Sequence, residues 1–473
     1  MLNAPSPDLL ARLAAVVGPA HALTADADTA PYLVEWRDRF PGLTPMVLRP
    51  GSVDEVSRIL ALANEARVAI VPQSGNTGLV GGQVPDRSNT EIVLSLDRLT
   101  RIREVDAEGY SMTVEAGVIL AAVQAAAEAA GRLFPLSLGS EGSCRIGGNV
   151  SSNAGGTAVL AYGNMRELVL GLEVVLADGR VWEGLGKLRK DNTGYDLKQL
   201  FIGGEGTLGI VTAAVLKLFP RPKGEAAAFA AVADPAAALA LFNLARDRAG
   251  HELTGFELMP RIGMEFTLAH LSGTRDPLAA PSPWYVLIEI ASGHSDEAAS
   301  ATMEDVLTAA FEAGVVADAA IARSLAERKA FWHIRHGMSE AQKPEGGSIK
   351  HDVSVPIASI PAFLAEAVAA VEAMVPGCRP VPFGHMGDGN IHFNISQPVG
   401  ADKAAFLARW EEMNALVHGI VAKYHGSISA EHGIGRLKRD LLPAAKGEVA
   451  MAMMRSIKQA FDPNGILNPG KVV

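Results

Sequence analysis

Three stretches in the first half of the chain carry too few bulky side chains to build a core, and they constrain any fold that contains them. The first, Pro72-Gln-Ser-Gly-Asn-Thr-Gly-Leu-Val-Gly-Gly82, follows an apolar run and sets four glycines among small polar residues. Backbone N–H groups in such a loop can turn toward an anion, because glycine reaches backbone angles closed to other residues. The pattern is not GxGxxG opening a helix, since no amphipathic run lies between Leu79 and Asp86. The second runs from Pro135 as PLSLGSEGSCRIGGNVSSNAGGTAVLAYGNM, where almost no side chain can fill a core. The third, FIGGEGTLGIVTAAVLKLFP at 201–220, places glycines ahead of a strand-like run. One such loop is as often a plain flexible connection. Three of them suit the sides of an extended ligand such as a dinucleotide.

Between these segments strands and helices alternate. Residues 52–66 read as a helix, with Ser52 and Glu55 at capping-box spacing and Val53, Val56, Ile59, Leu60 and Ala63 on one face. A strand follows at 68–71. Residues 111–131 read as a strand and a helix, the helix apolar on most faces, as one buried between layers would be, and ending on Gly131. Residues 172–182 read as a hairpin about Asp178-Gly179. The segment PRPKG at 220–224 breaks the pattern. Beyond it, strand-like runs such as 284–291 alternate with alanine-rich helices near 235–249 and 359–375. The pattern predicts an α+β protein with a boundary near 220 and a distinct last stretch from 429. The last residues, FDPNGILNPGKVV, are too rich in turn formers for a regular element.

The second half concentrates histidines and cations. In PFGHMGDGNIHFNI, 382–395, a regular strand would turn His385 and His392, seven apart, to opposite faces. Gly387-Asp388-Gly389 breaks that strand and can redirect one of them. Ile391, Phe393 and Ile395 then share one face, His392 and Asn394 the other. Two hydrogen-bonded structural histidines would explain this motif alone. SAEHGIGRLKRD at 429–440 adds Glu431 and His432. Imidazoles with a carboxylate suit a first-row divalent metal, zinc by default, with His385, His392 and Glu431 as ligands and His432 as a candidate base. Pairing of Glu431 with Arg436 on a following helix is the alternative. In FWHIRHGMSEAQKPEGGSIKHDVSVP, 331–356, Arg335 and Ser339 are four apart on one helical face, and Lys350 opens a strand of alternating character. Such cations can grip carboxylates, arginine in bidentate fashion, although a lone arginine usually marks a solvated surface.

The three glycine-rich segments resemble the FAD-binding domain of the vanillyl-alcohol-oxidase (PCMH-type) flavoprotein family, and the resemblance runs from about Pro50 to the chain end. Carried by these segments and the later motifs, it implies a two-part ligand-binding domain over 1–220, a substrate (cap) domain of antiparallel sheet and covering helices over 221–428, and a C-terminal segment, 429–473, that closes the site. It implies pyrophosphate contacts from the first loop, at Pro72, Gly75, Asn76, Thr77, Gly78, Leu79 and Gly82. It implies isoalloxazine and ribityl contacts from Ser140, Gly147, Gly148, Ser152, Asn153 and Gly155, and adenine-side contacts from Gly206 and Ile210. Asn76 stands where many members carry a flavin-linking histidine, so noncovalent FAD is expected. The later motifs resemble the branch of this family that acts on D-2-hydroxyglutarate and D-lactate, and Arg335, Ser339, Lys350 and Asn394 match its substrate-binding positions. The resemblance implies oxidation of a small D-2-hydroxy acid by hydride transfer to the flavin, with metal-assisted loss of the hydroxyl proton. D-2-hydroxyglutarate is favoured, because Arg335 and Lys350 offer separate cations for two carboxylates. D-lactate or glycolate is the enzymatic alternative, and a flavin-binding regulatory protein the non-enzymatic one.

A net charge of −10 makes nucleic acid an unlikely general partner, because nothing would offset phosphate repulsion. Two cysteines are too few for a disulfide framework, which suits a reducing compartment. The N-terminal sequence lacks a basic region followed by a long apolar stretch, and no run of about 18 uninterrupted apolar residues occurs. The expectation is a cytoplasmic protein with no transmembrane segment, passing electrons to a carrier such as an electron-transfer flavoprotein or a quinone. A homodimer is compatible with the sequence.

Overall fold

The first long helix starts where a hydroxyl replaces a missing backbone partner. Ser52 accepts the N–H of Glu55 (3.2 Å), opening α1 (Val53–Ala66), which buries Val56, Ile59, Leu60 and Ala63. The reciprocal half of the capping box is displaced by one residue, since the Glu55 carboxylate takes the N–H of Gly51 (2.7 Å). The computed structural model describes residues 2–473, and these fall into two compact units.

The first unit comprises 2–156, 163–221 and 431–473. Its mixed four-stranded sheet has the order β1 (Ala22–Leu23), β2 (Val47–Leu48), β4 (Ile92–Ser95), β3 (Ile70–Gln73), with β4 parallel to both β2 and β3. The strand expected at 68–71 thus lies two residues later, because Val68 and Ala69 are spent on the turn out of α1, whose C-cap Arg67 is left-handed. An antiparallel sheet of five follows the order β5 (Ile102–Asp106), β6 (Ser111–Glu115), β9 (Ile210–Lys217), β7 (Val169–Val175), β8 (Val181–Gly184). Strands β7 and β8 form the hairpin read at 172–182, and Gly179 takes the positive φ of 87°. Helix α2 (Leu120–Ala129) corrects one expectation. Only Leu120, Val123 and Ala127 are buried, so it lies on the surface by one face and not between layers. The segment after Pro135 also differs from its reading. It contains a short helix, α3 (Ile146–Ser151), and Ile146 and Val150 are fully buried. The C-terminal residues 431–473 belong to this unit, where Leu467 makes a parallel bridge with Ile70.

The second unit comprises 157–162 and 222–430. Seven antiparallel strands run in the order β13 (Asp318–Ile321), β10 (Gly224–Val232), β12 (Trp284–Ser292), β11 (Leu253–Pro260), β15 (Arg379–His385), β16 (Asn390–Ser396), β14 (Ser348–Ser354). Strand alternation sends two sets of side chains to opposite faces. Phe256, Ile288, Ile349, Ile391, Phe393 and Ile395 join a core with α4 (Pro235–Ala249), α6 (Asp296–Glu312), α8 (Ile360–Met374) and α9 (Trp410–Lys423). Met259, Tyr285, Leu287, Val381 and Phe383 face α5 (Arg261–His270) and α7 (Leu325–Ala341). The stretch Ile357–Met374 is long and apolar enough by composition to cross a membrane, despite Glu366 and Glu372. In this fold it is amphipathic, burying Ile360, Phe363, Leu364, Ala367 and Val371 while Glu366 binds Lys423 and Tyr424.

Candidate active site

In the first unit, the three glycine-rich segments line one cleft, and their backbones come close enough to require glycine. A Cβ on Gly75 would stand 2.6 Å from Ser143 O, one on Gly147 2.7 Å from Ala116 Cβ, and one on Gly206 2.4 Å from Pro72 Cγ. Gly206 also holds a φ of +71°. Of the positions read for the cofactor, Pro72, Gly75, Asn76, Thr77, Gly78, Gly82, Gly147, Gly148, Ser152, Gly206 and Ile210 line the cleft. Leu79, Ser140, Asn153 and Gly155 do not. Asn153 instead caps a turn, its Oδ1 accepting the Arg166 N–H (2.9 Å), and the Ser140 carbonyl accepts the N–H of Cys144 (2.8 Å).

Asn76 contributes its backbone to the cleft, while its side chain holds the loop in place. Its Nδ2 donates to Pro31 O (3.1 Å) and Val34 O (3.0 Å), and its Oδ1 accepts from Gln83 (3.1 Å). Several lining residues escaped the sequence reading, and two of them carry charge. Arg145 donates to Asp97 O (2.9 Å) and Gly117 O (2.6 Å). Glu205 accepts from the N–H groups of Ile434 and Gly435 (both 2.7 Å), which fixes the loop just after His432, another lining residue. Burial pushes the Glu205 carboxyl up, against the pull of those N–H groups and of Lys438. The glycine-rich parts of this cleft offer backbone and small polar groups from three segments, beside apolar side chains such as Leu96 and Val211 and the charged Arg145 and Glu205, and that donor set fits an extended dinucleotide.

The second unit builds its site from side chains on the face under α7. Strands β15 and β16 form a hairpin around residues 386–389, with Gly389 at φ +91°. The structure thus has two paired strands where periodicity predicts one interrupted strand. In the hairpin Phe383 pairs with His392, so His385 and His392 lie on one face, their ring centroids 5.6 Å apart. On the same face Asp352 pairs with His392, and Lys350 with Asn394, which is buried. Lys350 Nζ donates to the carbonyl and the hydroxyl oxygens of Ser339 (both 2.9 Å), so these two residues act as a unit. Arg335 is buried, with its guanidinium carbon 4.9 Å from the Phe383 ring centroid.

Sequence reading missed the residue that joins these parts. Glu257, on the entirely buried strand β11, accepts from Arg335 Nε (2.6 Å) and from His385 Nδ1 (2.7 Å). Burial alone would raise its carboxyl, but Arg335 and His385 hold it down at about 2. Its signal was available as a lone charge in the run LTGFELMP, because a buried charge must be paired. Asp388, in the hairpin turn, is pushed up by burial to about 6, against the pull of His385 and the Asn390 N–H.

Glu431 and His432 begin the segment that leaves the second unit at Ala430. The alternative pairing of Glu431 with Arg436 is absent. Glu431 lies 3.7 Å from His432 Nε2, while Arg436 stacks on Phe40, and no helix starts at 436.

A family model described as "FAD binding domain" matches residues 44–184, and one described as "FAD linked oxidases, C-terminal domain" matches residues 221–472. The two matches mark the chain as a flavin-dependent oxidoreductase. The chain belongs to the FAD-linked oxidases. It is 40% identical to a D-2-hydroxyglutarate dehydrogenase of Xanthomonas citri pv. viticola, over 95% of this chain and 93% of that one. It is also 40% identical to a protein of Danio rerio named "D-2-hydroxyglutarate dehydrogenase, mitochondrial", over 93% and 80%. Among solved structures, p-cresol methylhydroxylase shares the fold, with a TM-score of 0.75 at 18% identity over 98% of this chain and 96% of that one.

Proposed function

We propose that this protein oxidises D-2-hydroxyglutarate to 2-oxoglutarate, the alcohol carbon giving up a hydride and the hydroxyl a proton. The observation that carries the reading is Arg335. Its side chain is 6% exposed, Glu257 occupies its Nε, and its buried Nη2 has no hydrogen-bond partner. A buried charged donor left unfilled costs the fold free energy that a substrate carboxylate would recover. The names of the relatives at 40% identity support the particular acid.

The residues divide the work. Arg335 takes one carboxylate, and Lys350, steadied by Ser339, is placed for the second. Buried Asn394, beside Lys350 in the register, orients the substrate from the sheet. FAD, when bound, supplies the two-electron acceptor for the hydride. A divalent ion, zinc by ligand type, would be held by His385, His392 and Glu431 and would make the hydroxyl proton easier to lose. The donor chemistry fits. Glu257 occupies the Nδ1–H of His385 and so leaves Nε2 as the lone-pair nitrogen, and carboxylate-backed imidazoles are typical metal ligands. Glu431 directly follows Ala430, whose N–H donates to the carbonyl of Asp352, the register partner of His392. His432 is the acceptor of the hydroxyl proton.

The double engagement of Lys350 by Ser339 favours a monocarboxylate such as D-lactate as the second reading. Electrons then pass to a carrier such as an electron-transfer flavoprotein or a quinone. The cysteines, both buried and free, support a reducing compartment and the cytoplasmic reading. Anaerobic mixing of the purified flavoprotein with D- and L-2-hydroxy acids tests the proposal by flavin bleaching. D-2-hydroxyglutarate should bleach fastest; bleaching by L-enantiomers alone, or by none of the panel, overturns it.

A further inference from the structure

Glu257 touches both halves of the substrate-domain chemistry. It is 1% exposed, sits in a strand buried at every position, and pairs with His385 in the sheet register. One of its oxygens accepts from His385 Nδ1 and the other from Arg335 Nε. Those partners lie 128 and 78 residues away in sequence. We propose that Glu257 is a positioning residue for catalysis, a single buried carboxylate that sets the tautomer of His385 and the orientation of the Arg335 guanidinium together. The inference rests on the proposed roles of His385 as a metal ligand and Arg335 as the substrate's anchor.

The physical argument starts from what a carboxylate can accept. Bound to His385 Nδ1, it requires the proton on that nitrogen and leaves the lone pair on Nε2. Bound to Arg335 Nε, it takes the inner side of the fork, while the buried Nη2 keeps an unfilled donor. The ring of Phe383 beneath Arg335 and beside His392 limits rotation of the guanidinium plane. The carboxylate thus ties the metal-binding nitrogen and the anion-binding nitrogen to one rigid strand. Displacing it disturbs both at once, which a shared support predicts and two independent sites do not. A purely structural ion pair needs none of this, because apolar side chains of similar volume often replace a buried pair without loss of stability.

Glu257→Gln keeps the size but cannot accept from both partners, and Glu257→Asp keeps the charge but is one methylene too short to reach both. Each variant should retain its FAD and its circular dichroism. Each should bind zinc ~10–100-fold more weakly in competition with a chromophoric chelator, the usual effect of losing such a support. KM for D-2-hydroxyglutarate should rise and kcat should fall in the same variants. Zinc affinity and KM both within twofold of the parent protein overturn the inference. If the parent binds no zinc, the metal reading fails and the KM arm decides alone. If the variants do not fold, the tautomer decides: nitrogen NMR of the zinc-free parent, with His385 assigned by its loss in His385→Asn, should place the proton on Nδ1. A proton on Nε2 overturns the proposal.

Discussion

The two sites of this protein are made of different material. The cleft of the first unit is walled by backbone, and its specificity comes from places where no Cβ fits, such as Gly75 against Ser143 O and Gly147 against Ala116. The sheet face of the second unit is walled by side chains, with Arg335, Lys350, His385, His392 and Asn394 held on paired strands and one helix. The difference follows from ligand size. A dinucleotide is long and polar along its whole length, so many weak backbone contacts suffice. A small hydroxy acid offers few atoms, so each contact must be strong and precisely placed. The first site should therefore fail by crowding and the second by loss of a functional group.

The largest expected effect tests that separation directly. His385→Ala and His392→Ala should each lower turnover by orders of magnitude, because an alcohol with an unassisted pKa near ~16 must otherwise lose its proton to a base of much lower pKa. Both variants should keep the yellow colour with FAD at one per chain by absorbance, and loss of the flavin would break the comparison. Chelating the parent protein should mimic the variants, and adding zinc, manganese or cobalt should restore activity. Full turnover in a preparation shown to be metal-free rules the ion out.

The converse test adds one methyl group to the other site. Gly147→Ala puts a Cβ 2.7 Å from that of Ala116, and overpacking of this kind costs roughly 1–3 kcal/mol. FAD affinity measured by fluorescence recovery should fall about 5–150-fold, and restoring saturating FAD should restore much of kcat. An unchanged affinity would show that the cleft yields easily. A finer test concerns the substrate's second carboxylate. Lys350→Ala should reduce kcat/KM for D-2-hydroxyglutarate about 10–150-fold more than for D-lactate, the worth of one charge-assisted contact at roughly 1.5–3 kcal/mol. Equal losses would mean that Lys350 serves only one carboxylate.

The smallest effect lies away from both sites and calibrates them. Glu115 is buried under Arg101 and Arg103. Burial alone would raise its carboxyl, but the side chain and N–H of Arg101, with Arg103, hold it below the ordinary value of 4.5. A depressed folded value means stability that is present above pH 4.5 and lost as pH falls through the folded pKa. Glu115→Gln should lower Tm by a few degrees at pH 7, about 2–4 °C for each kcal/mol lost, with the gap closing as pH falls through the depressed folded pKa. The kinetic parameters at saturating FAD should not move.

Local pattern was enough for several elements. The apolar spacing in α1, the Asp178-Gly179 hairpin and the alternation of Ile391, Phe393 and Ile395 against His392 and Asn394 are all written within a few residues, because backbone geometry repeats every 3.6 or 2 positions. The glycine-rich segments were equally legible, since a stretch that cannot fill a core announces space for something else. Element boundaries were harder. The strand at 70–73 and the single buried face of α2 depended on neighbours the local pattern does not name.

What the sequence determined by itself, then, was the kind of chain: a backbone-built cleft for an extended cofactor early on, and a set of imidazoles and cations for chemistry later. Only the tertiary structure decided how those groups meet. The hairpin register put His385 and His392 on one face where strand periodicity alone would have opposed them. Ser339 turned out to steady Lys350, and Asn76 to brace its own loop. Glu257 became central only through partners 78 and 128 residues distant. The physical reason is range. Propensity and periodicity act over a turn or a few strand residues, whereas the position of a buried charge is set by whichever segments the packed sheet brings beside it.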